Sequence, residues 1–440
     1  MVQLLPSALR LLLSSLLWSP DPEPTLIQSS ALQFQLRHQH ALTNTSTAVF
    51  ADVPPSFIQE TYRVSSRRLT SHRPYSQAAF QNARQRSIES VRMRALGQGN
   101  QTGMRTERML WEDIEVLGPE VGERETVLTL AKMTNNAYMQ PSDAQWYDLS
   151  SDWNASYPFG WEPDEDGFRG HVFVSTDNST VVVSIKGTSA SWIVGGGGPT
   201  TRKDKLNDNL LFSCCCARVG PTWWPVCDCY SGGYKCDLNC LEKSLVEDSL
   251  FYPVGINLYN NVSYMYPDAT IWMTGHSLGG ALASLVGSTF GAPVVAFEAP
   301  GEKMAARRLH LPSPPSTQHI THVYHTADPI AMGTCNGVSS TCAIAGYAME
   351  SRCHLGKVIK YDTVSKLNWG VDVRTHPIRV VIERLLAEDW EPAPKDGKEG
   401  DERGKGKQVP EPIEEEDCVD CFNWEYGEFK NVPSLGGCGW

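Results

Sequence analysis

Six residues, Gly275-His276-Ser277-Leu278-Gly279-Gly280, constrain this chain more than any others. The run before them, Ala269-Thr270-Ile271-Trp272-Met273-Thr274, has the composition of a buried strand. The run after them, Ala281 to Val286, reads as a helix with small residues along one side. A Gly-x-Ser-x-Gly between a strand and a helix is a nucleophile elbow. Its serine sits at a strained tip, and its glycines let strand and helix pass close together. The bare pattern recurs by chance in long chains, so the strand–turn–helix context carries the weight. It predicts an α/β-hydrolase fold with Ser277 as nucleophile and Gly275, His276 and Gly279 shaping the turn.

In that fold an acid and then a histidine follow the serine in the chain. Asp328 ends a short apolar-alternating strand, Thr321 to His325, and Pro329 turns the chain just beyond it. An acid there holds the tautomer of the base and stabilises its imidazolium. His376 lies in a loop that leads into a helical run, Arg379 to Leu386, from which its ring can swing onto the serine. Asp362 and Asp372 also precede His376 and compete for the acid's place. The plainer alternatives are a turn residue at Asp328 and a helix-capping or surface residue at His376.

The oxyanion donors belong at an earlier strand end and at the amide after the nucleophile. Residues 171–175 and 181–186 flank Thr176-Asp177-Asn178-Ser179-Thr180, a hairpin by composition. The second strand runs into Gly187-Thr188-Ser189. This assigns one donor to the Thr188 amide, aided by its hydroxyl, and the other to the Leu278 amide.

These residues carry a resemblance. Gly-His-Ser-Leu-Gly-Gly, Ala-Asp-Pro-Ile around Asp328, and Lys186-Gly187-Thr188-Ser189 resemble the class 3 lipases. The cysteine block around Cys214-Cys215-Cys216 and Cys227-Asp228-Cys229, with the C-terminal Cys418-Val419-Asp420-Cys421, resembles the autophagy-related vacuolar lipases. The likeness runs from about Arg105 to Leu386 and returns at the C-terminus. It implies a membrane-anchored lumenal lipase that degrades autophagic bodies and other vesicles in the vacuole, with Ser277, Asp328 and His376 as its triad.

Length and composition set the frame. The 440 residues carry a formal charge of -12, distributed unevenly. From Glu388 to Asp417 there are twelve acidic and five basic residues among Gly, Pro and Lys, which reads as a disordered linker. Ten arginines between Arg63 and Arg108 face only Glu89 and Glu107. This stretch reads as a basic lumenal arm, either simply solvated or bound to anionic phospholipids such as phosphoinositides. The acidic whole and the lack of any reader motif exclude nucleic acid as a partner. Sequons at Asn44, Asn100, Asn154, Asn178 and Asn261 join thirteen cysteines, seven of them between Cys214 and Cys240. That density fits an oxidising lumen and disulfide staples. A zinc site on Cys227-x-Cys229 and Cys236-x-x-x-Cys240 is the rival reading, weakened because the block holds no histidine. The odd cysteine total leaves at least one outside any internal pair.

The expected organisation has five parts. Leu4 to Trp18 is apolar but shorter than the roughly 20 residues of a full span, more like the core of a signal peptide, although no small-x-small site closes it; the resemblance implies an uncleaved signal-anchor over 1–19. The basic arm follows over 20–104, then the α/β-hydrolase domain over 105–387 with a cysteine-rich insert at 209–241. The linker covers 388–417 and a cysteine-containing segment closes the chain at 418–440. An apolar flap is expected around Ser191-Trp192-Ile193-Val194, hinged on Gly195 to Gly198, with Trp223-Trp224 recurring beyond it. The substrates expected are phospholipids and triacylglycerols, hydrolysed without metal or cofactor. The alternatives are a secreted carboxylesterase and an inactive lipid-binding relative.

Overall fold

The computed structural model describes residues 31–42, 48–52, 62–95, 109–139, 143–147, 168–189, 201–218, 225–248, 251–391 and 407–429. Its central strand is β8 (Thr270–His276), which ends in the elbow. The sequence alternates apolar residues over both faces of this strand and its neighbours, as a sheet covered on both sides requires. Ile271 and Met273 enter one core with Val181, Val183 and Ile185 of β6 (Thr180–Ile185). Trp272 enters the opposite core with Val182, Val295, Phe297 and Val323. Trp272 anchors that second core, fully buried, with its indole N–H donating to Leu117 O at 2.6 Å.

Parallel pairing builds one half of the sheet. β6, β8, β9 (Val294–Phe297), β10 (Ile320–His325) and β11 (Lys357–Tyr361) lie side by side in one direction. All five therefore end on the same edge, where ligands bind in open α/β sheets. The other half is antiparallel. β5 (Gly170–Ser175) pairs with β6 through the hairpin read from the sequence. Beyond it lie β1 (Ala31–Leu42), β3 (Tyr62–Pro74) and β4 (Trp111–Pro119), with β2 (Ala48–Asp52) on β1. This is the α/β-hydrolase class that the elbow predicted.

The supposed arm is part of this sheet. β3 pairs with β4 along its length, across the boundary expected at 105, and is followed by helix α1 (Gln77–Ala95). Arg68 and Arg73 face Glu115 and Glu112 on β4, and Arg67 faces Glu120 just past its end. Arg84 donates to Leu309 O at 2.8 Å and lies over the Tyr252 ring. The composition was basic because the acidic partners sit on β4 or just past it, outside the window in which the charges were counted. The linker is likewise shorter than expected. β12 (Ile413–Glu414) adds to β11 as an antiparallel edge, and Glu415 binds His354.

Among the described residues there are six disulfides, five of which fasten the insert and the tail. Cys215–Cys236, Cys216–Cys227 and Cys229–Cys240 lie within the insert, and Cys335–Cys342 closes a loop after Asp328. Cys214–Cys421 and Cys353–Cys418 tie the C-terminal segment to the domain. The first of these closes 207 residues of separation and, taken alone, removes on the order of 5 kcal/mol of chain entropy from the unfolded state. The cysteines of zinc-like spacing are all engaged in these bonds. Cys438, the thirteenth, lies outside the described residues.

Asn178 sits exposed at the β5–β6 turn with φ 58°, and Asn261 is exposed on the helix Phe251–Met265. Asn44, Asn100 and Asn154 lie outside the described residues, as do the anchor at 1–19 and the flap residues 191–198 with Trp223 and Trp224. Among the described residues no helix is long and apolar enough to cross a membrane.

Candidate active site

The elbow follows from what its glycines permit. α2 (Leu278–Phe290) leaves β8 so sharply that a Cβ at Gly279 would lie 2.6 Å from Lys186 O, and one at Gly275 would overlap the backbone of Gly279. Ser277 takes up the turn at φ 55° and ψ −130°, a conformation that costs an L-residue on the order of 1–3 kcal/mol. It is held by its amide, which donates to Phe297 O at 2.9 Å, and by its carbonyl, which accepts from Ala281 N at 3.1 Å. The end of β6 presses on the same turn. A Cβ at Gly187 would strike His276 O and stand 3.0 Å from Ser277 Cβ. The chain leaves β6 through Gly187 hard against the elbow, and Thr188 follows directly.

Asp328 and His376 meet at the edge where β10 ends. His376 Nδ1 donates to Asp328 Oδ2 at 2.7 Å, with both side chains buried. Asp328 Oδ1 accepts from Ile330 N at 2.9 Å. Although burial opposes charge on Asp328, its neighbours outweigh it, His376 above all, and hold the carboxyl well below the usual range. The competing acids stand elsewhere. Asp362 caps a short helix by accepting from Ser365 N, and Asp372 accepts from Arg374 N and pairs with that guanidinium.

Three further side chains position the histidine loop, and sequence reasoning had passed over their part in it. Thr375 Oγ1 donates to Ala327 O at 2.9 Å, and His325 Nε2 to Thr375 O at 3.1 Å. His276 Nε2 donates to His376 O at 2.9 Å. A carbonyl can only accept, so the His276 proton is on Nε2, and Nδ1 accepts from Tyr138 OH at 2.7 Å. Burial, with the charge of His376 beside it, drives His276 down to about 3, so it stays neutral and keeps this tautomer. His276 thus links the strand that carries Ser277 to the backbone of His376. No local pattern reveals this, because Tyr138 and His376 lie 238 residues apart in the chain.

On the oxyanion side a buried charged cluster surrounds Thr188. Its hydroxyl donates to Asp208 Oδ2 at 2.6 Å, while Asp204 accepts from Ser189 N at 2.8 Å and from Lys186 Nζ at 3.3 Å. Burial pushes Asp208 up to about 8. The Thr188 hydroxyl hydrogen is engaged by Asp208 and is not available to a second acceptor. Both aspartates come from the helix Thr201–Phe212, where no sequence motif marks them.

The class 3 lipase family model matches residues 257–292, from the helix before β8 through α2. The chain is 54% identical over 368 residues to "Putative lipase ATG15" of Cryptococcus neoformans (strain B-3501A), spanning 72% of this chain and 70% of that one. It is 48% identical over 328 residues to the protein of the same name in Saccharomyces cerevisiae (strain S288c), spanning 73% of this chain and 59% of that one. Among solved structures it is similar to Lip2 lipase of Yarrowia lipolytica, at 16% identity over 52% of this chain and 76% of that one, with a TM-score of 0.26.

Proposed function

The chain belongs to the ATG15 lipase family, and from that premise we propose that it is a serine hydrolase of glycerolipid esters, phospholipids as well as triacylglycerols. Ser277 Oγ attacks the ester carbonyl as His376 Nε2 takes its proton. The Thr188 and Leu278 amides receive the oxyanion. The imidazolium, steadied by Asp328, returns the proton to the leaving alcohol. Water then enters by the same route in reverse and releases the fatty acid. The observation that carries this reading is the 2.7 Å hydrogen bond between His376 and Asp328 at the sheet edge where the strained Ser277 turns.

The cellular reading joins the family to the disulfide-rich tail and insert. The protein is a single-pass type II membrane protein, anchored through residues 1–19, that travels by way of multivesicular bodies to the vacuole lumen. There it breaks down the membranes of autophagic bodies. Arginines of the 62–108 region other than Arg67, Arg68 and Arg73 contribute contacts to anionic lipid headgroups, phosphoinositides included.

The test is to assay the purified lumenal portion on phospholipid vesicles, a triacylglycerol emulsion and a soluble short-chain ester. Ser277→Ala is expected to lose activity on all three by orders of magnitude while remaining folded. Residual activity within about tenfold of the parent would overturn the assignment of the nucleophile.

A further inference from the structure

Glu298 lies directly beyond β9, fully buried, and plays no part in the chemistry above. Its backbone stands at φ 43°, in the left-handed region that glycine occupies without strain. A charged residue kept there points to a task for its side chain. Glu298 Oε2 accepts from the His325 amide at 3.4 Å, and Oε1 finds no donor. His325 Nε2 is 3.7 Å from that oxygen but already donates to Thr375 O. What Glu298 does meet is Asp328, since the two carboxyl groups are within hydrogen-bonding reach of each other.

Two carboxylates in contact cannot both ionise cheaply, and one proton placed between them removes the repulsion. Asp328 already accepts from His376 and from Ile330 N, so the proton belongs to Glu298. We propose that Glu298 is a positioning residue that stays protonated and donates its O–H to Asp328, moderating the hold of the triad acid on His376. Burial first, and the Asp328 charge second, push the Glu298 carboxyl well above the usual carboxylate range, in keeping with this role.

The consequence concerns pH. A neutral donor draws negative charge out of Asp328 and weakens the attraction that favours imidazolium at His376. The base then remains free of a proton further into the acid range. The other titratable groups around this pair are His325 and Tyr324 on β10, His276 at the end of β8, and Arg384 in the helical turn after His376. Burial holds both His325 and His276 below the ordinary histidine value, so neither supplies a competing positive charge near neutral pH.

The inference rests on Asp328 acting as the triad acid, so its test has one readout independent of activity. Infrared difference spectra between the parent and Glu298→Gln at neutral pH should contain a protonated-carboxyl band that the substitution removes. Asp208 does not interfere, because its band is common to both proteins and cancels. In parallel, kcat/KM on a soluble ester is followed against pH for the parent, Glu298→Gln and Glu298→Ala. Gln keeps a donor, and its acidic limb should coincide with the parent's. Ala should move that limb up by about half a unit or more. No lost band means that Glu298 is ionised and overturns the proposal, as does a Gln profile displaced like that of Ala. A lost band with both profiles unmoved overturns the positioning role while leaving the proton. If Ala fails to fold, the Gln spectrum and profile decide alone. Activity absent even from the parent, with the band present, would count against the hydrolase reading and not against the proton.

Discussion

Gly187→Ala tests how the site is assembled without replacing any residue proposed to react. The added methyl would collide with the backbone carbonyl of His276 and the Tyr138 hydroxyl, and would stand 3.0 Å from Ser277 Cβ. Two of these three neighbours belong to the elbow, which is itself packed so closely on β6 that a Cβ at Gly279 would lie 2.6 Å from Lys186 O. Neither side can yield alone, so the end of β6 must retreat from the elbow by something like an ångström. Overpacking of this kind costs roughly 1–3 kcal/mol of stability. A displacement of that size between nucleophile and oxyanion donor costs about a hundredfold in rate. The assay pairs thermal unfolding with kcat/KM on a soluble ester, and Gly370→Ala serves as control because no atom lies within 4 Å of its added methyl. The expected result is a modest fall in melting temperature with a hundredfold loss in kcat/KM, and little change in the control. Activity within about threefold of the parent would refute the argument that the end of β6 is locked against the elbow.

Other outcomes follow from the same geometry. Asp328→Asn should lose most of the activity on every substrate, whereas Asp362→Asn and Asp372→Asn should keep it, because they only cap helical turns; ester hydrolysis by the three variants decides between the acids. Tyr138→Phe removes the donor to His276 Nδ1 and should lower kcat severalfold with KM nearly unchanged, at a cost of about 1 kcal/mol, as read from steady-state kinetics. The C-terminal segment should be tied down most firmly in mild acid. His354 is raised by Glu415, so its contribution is complete below the ordinary histidine value and fades as pH rises through the raised one. Glu415 is lowered to about 2, chiefly by His354, so its contribution holds above the ordinary carboxylate value and fades as pH falls towards 2. Glu415→Gln should therefore reduce the melting temperature more at pH 5.5 than at pH 8, measured by calorimetry at both (pH values about midway in and beyond that window).

The sequence alone determined the parts of this protein whose information is local. A strand, a strained serine and a helix packed against it need glycines at fixed offsets, so Gly275, Ser277 and Gly279 announce the elbow and, with it, the α/β-hydrolase fold. The β5–β6 hairpin was legible for the same reason, since turn chemistry and period-two alternation are written into consecutive residues. The order serine, acid, histidine narrowed the remaining choice to a few side chains but left Asp328, Asp362 and Asp372 standing. Of the three, tertiary structure pairs Asp328 with His376, by bringing the loop at 373–376 against the end of β10. It also reversed the reading of the basic stretch, because charge counted along the chain misses the glutamates that face Arg67, Arg68 and Arg73 from a neighbouring strand and its end. The disulfide pairing, the Tyr138–His276–His376 chain of hydrogen bonds and the carboxyl pair of Glu298 and Asp328 belong with these. Each joins residues far apart in sequence, and a contact made by folding leaves no periodicity or spacing for the sequence to display.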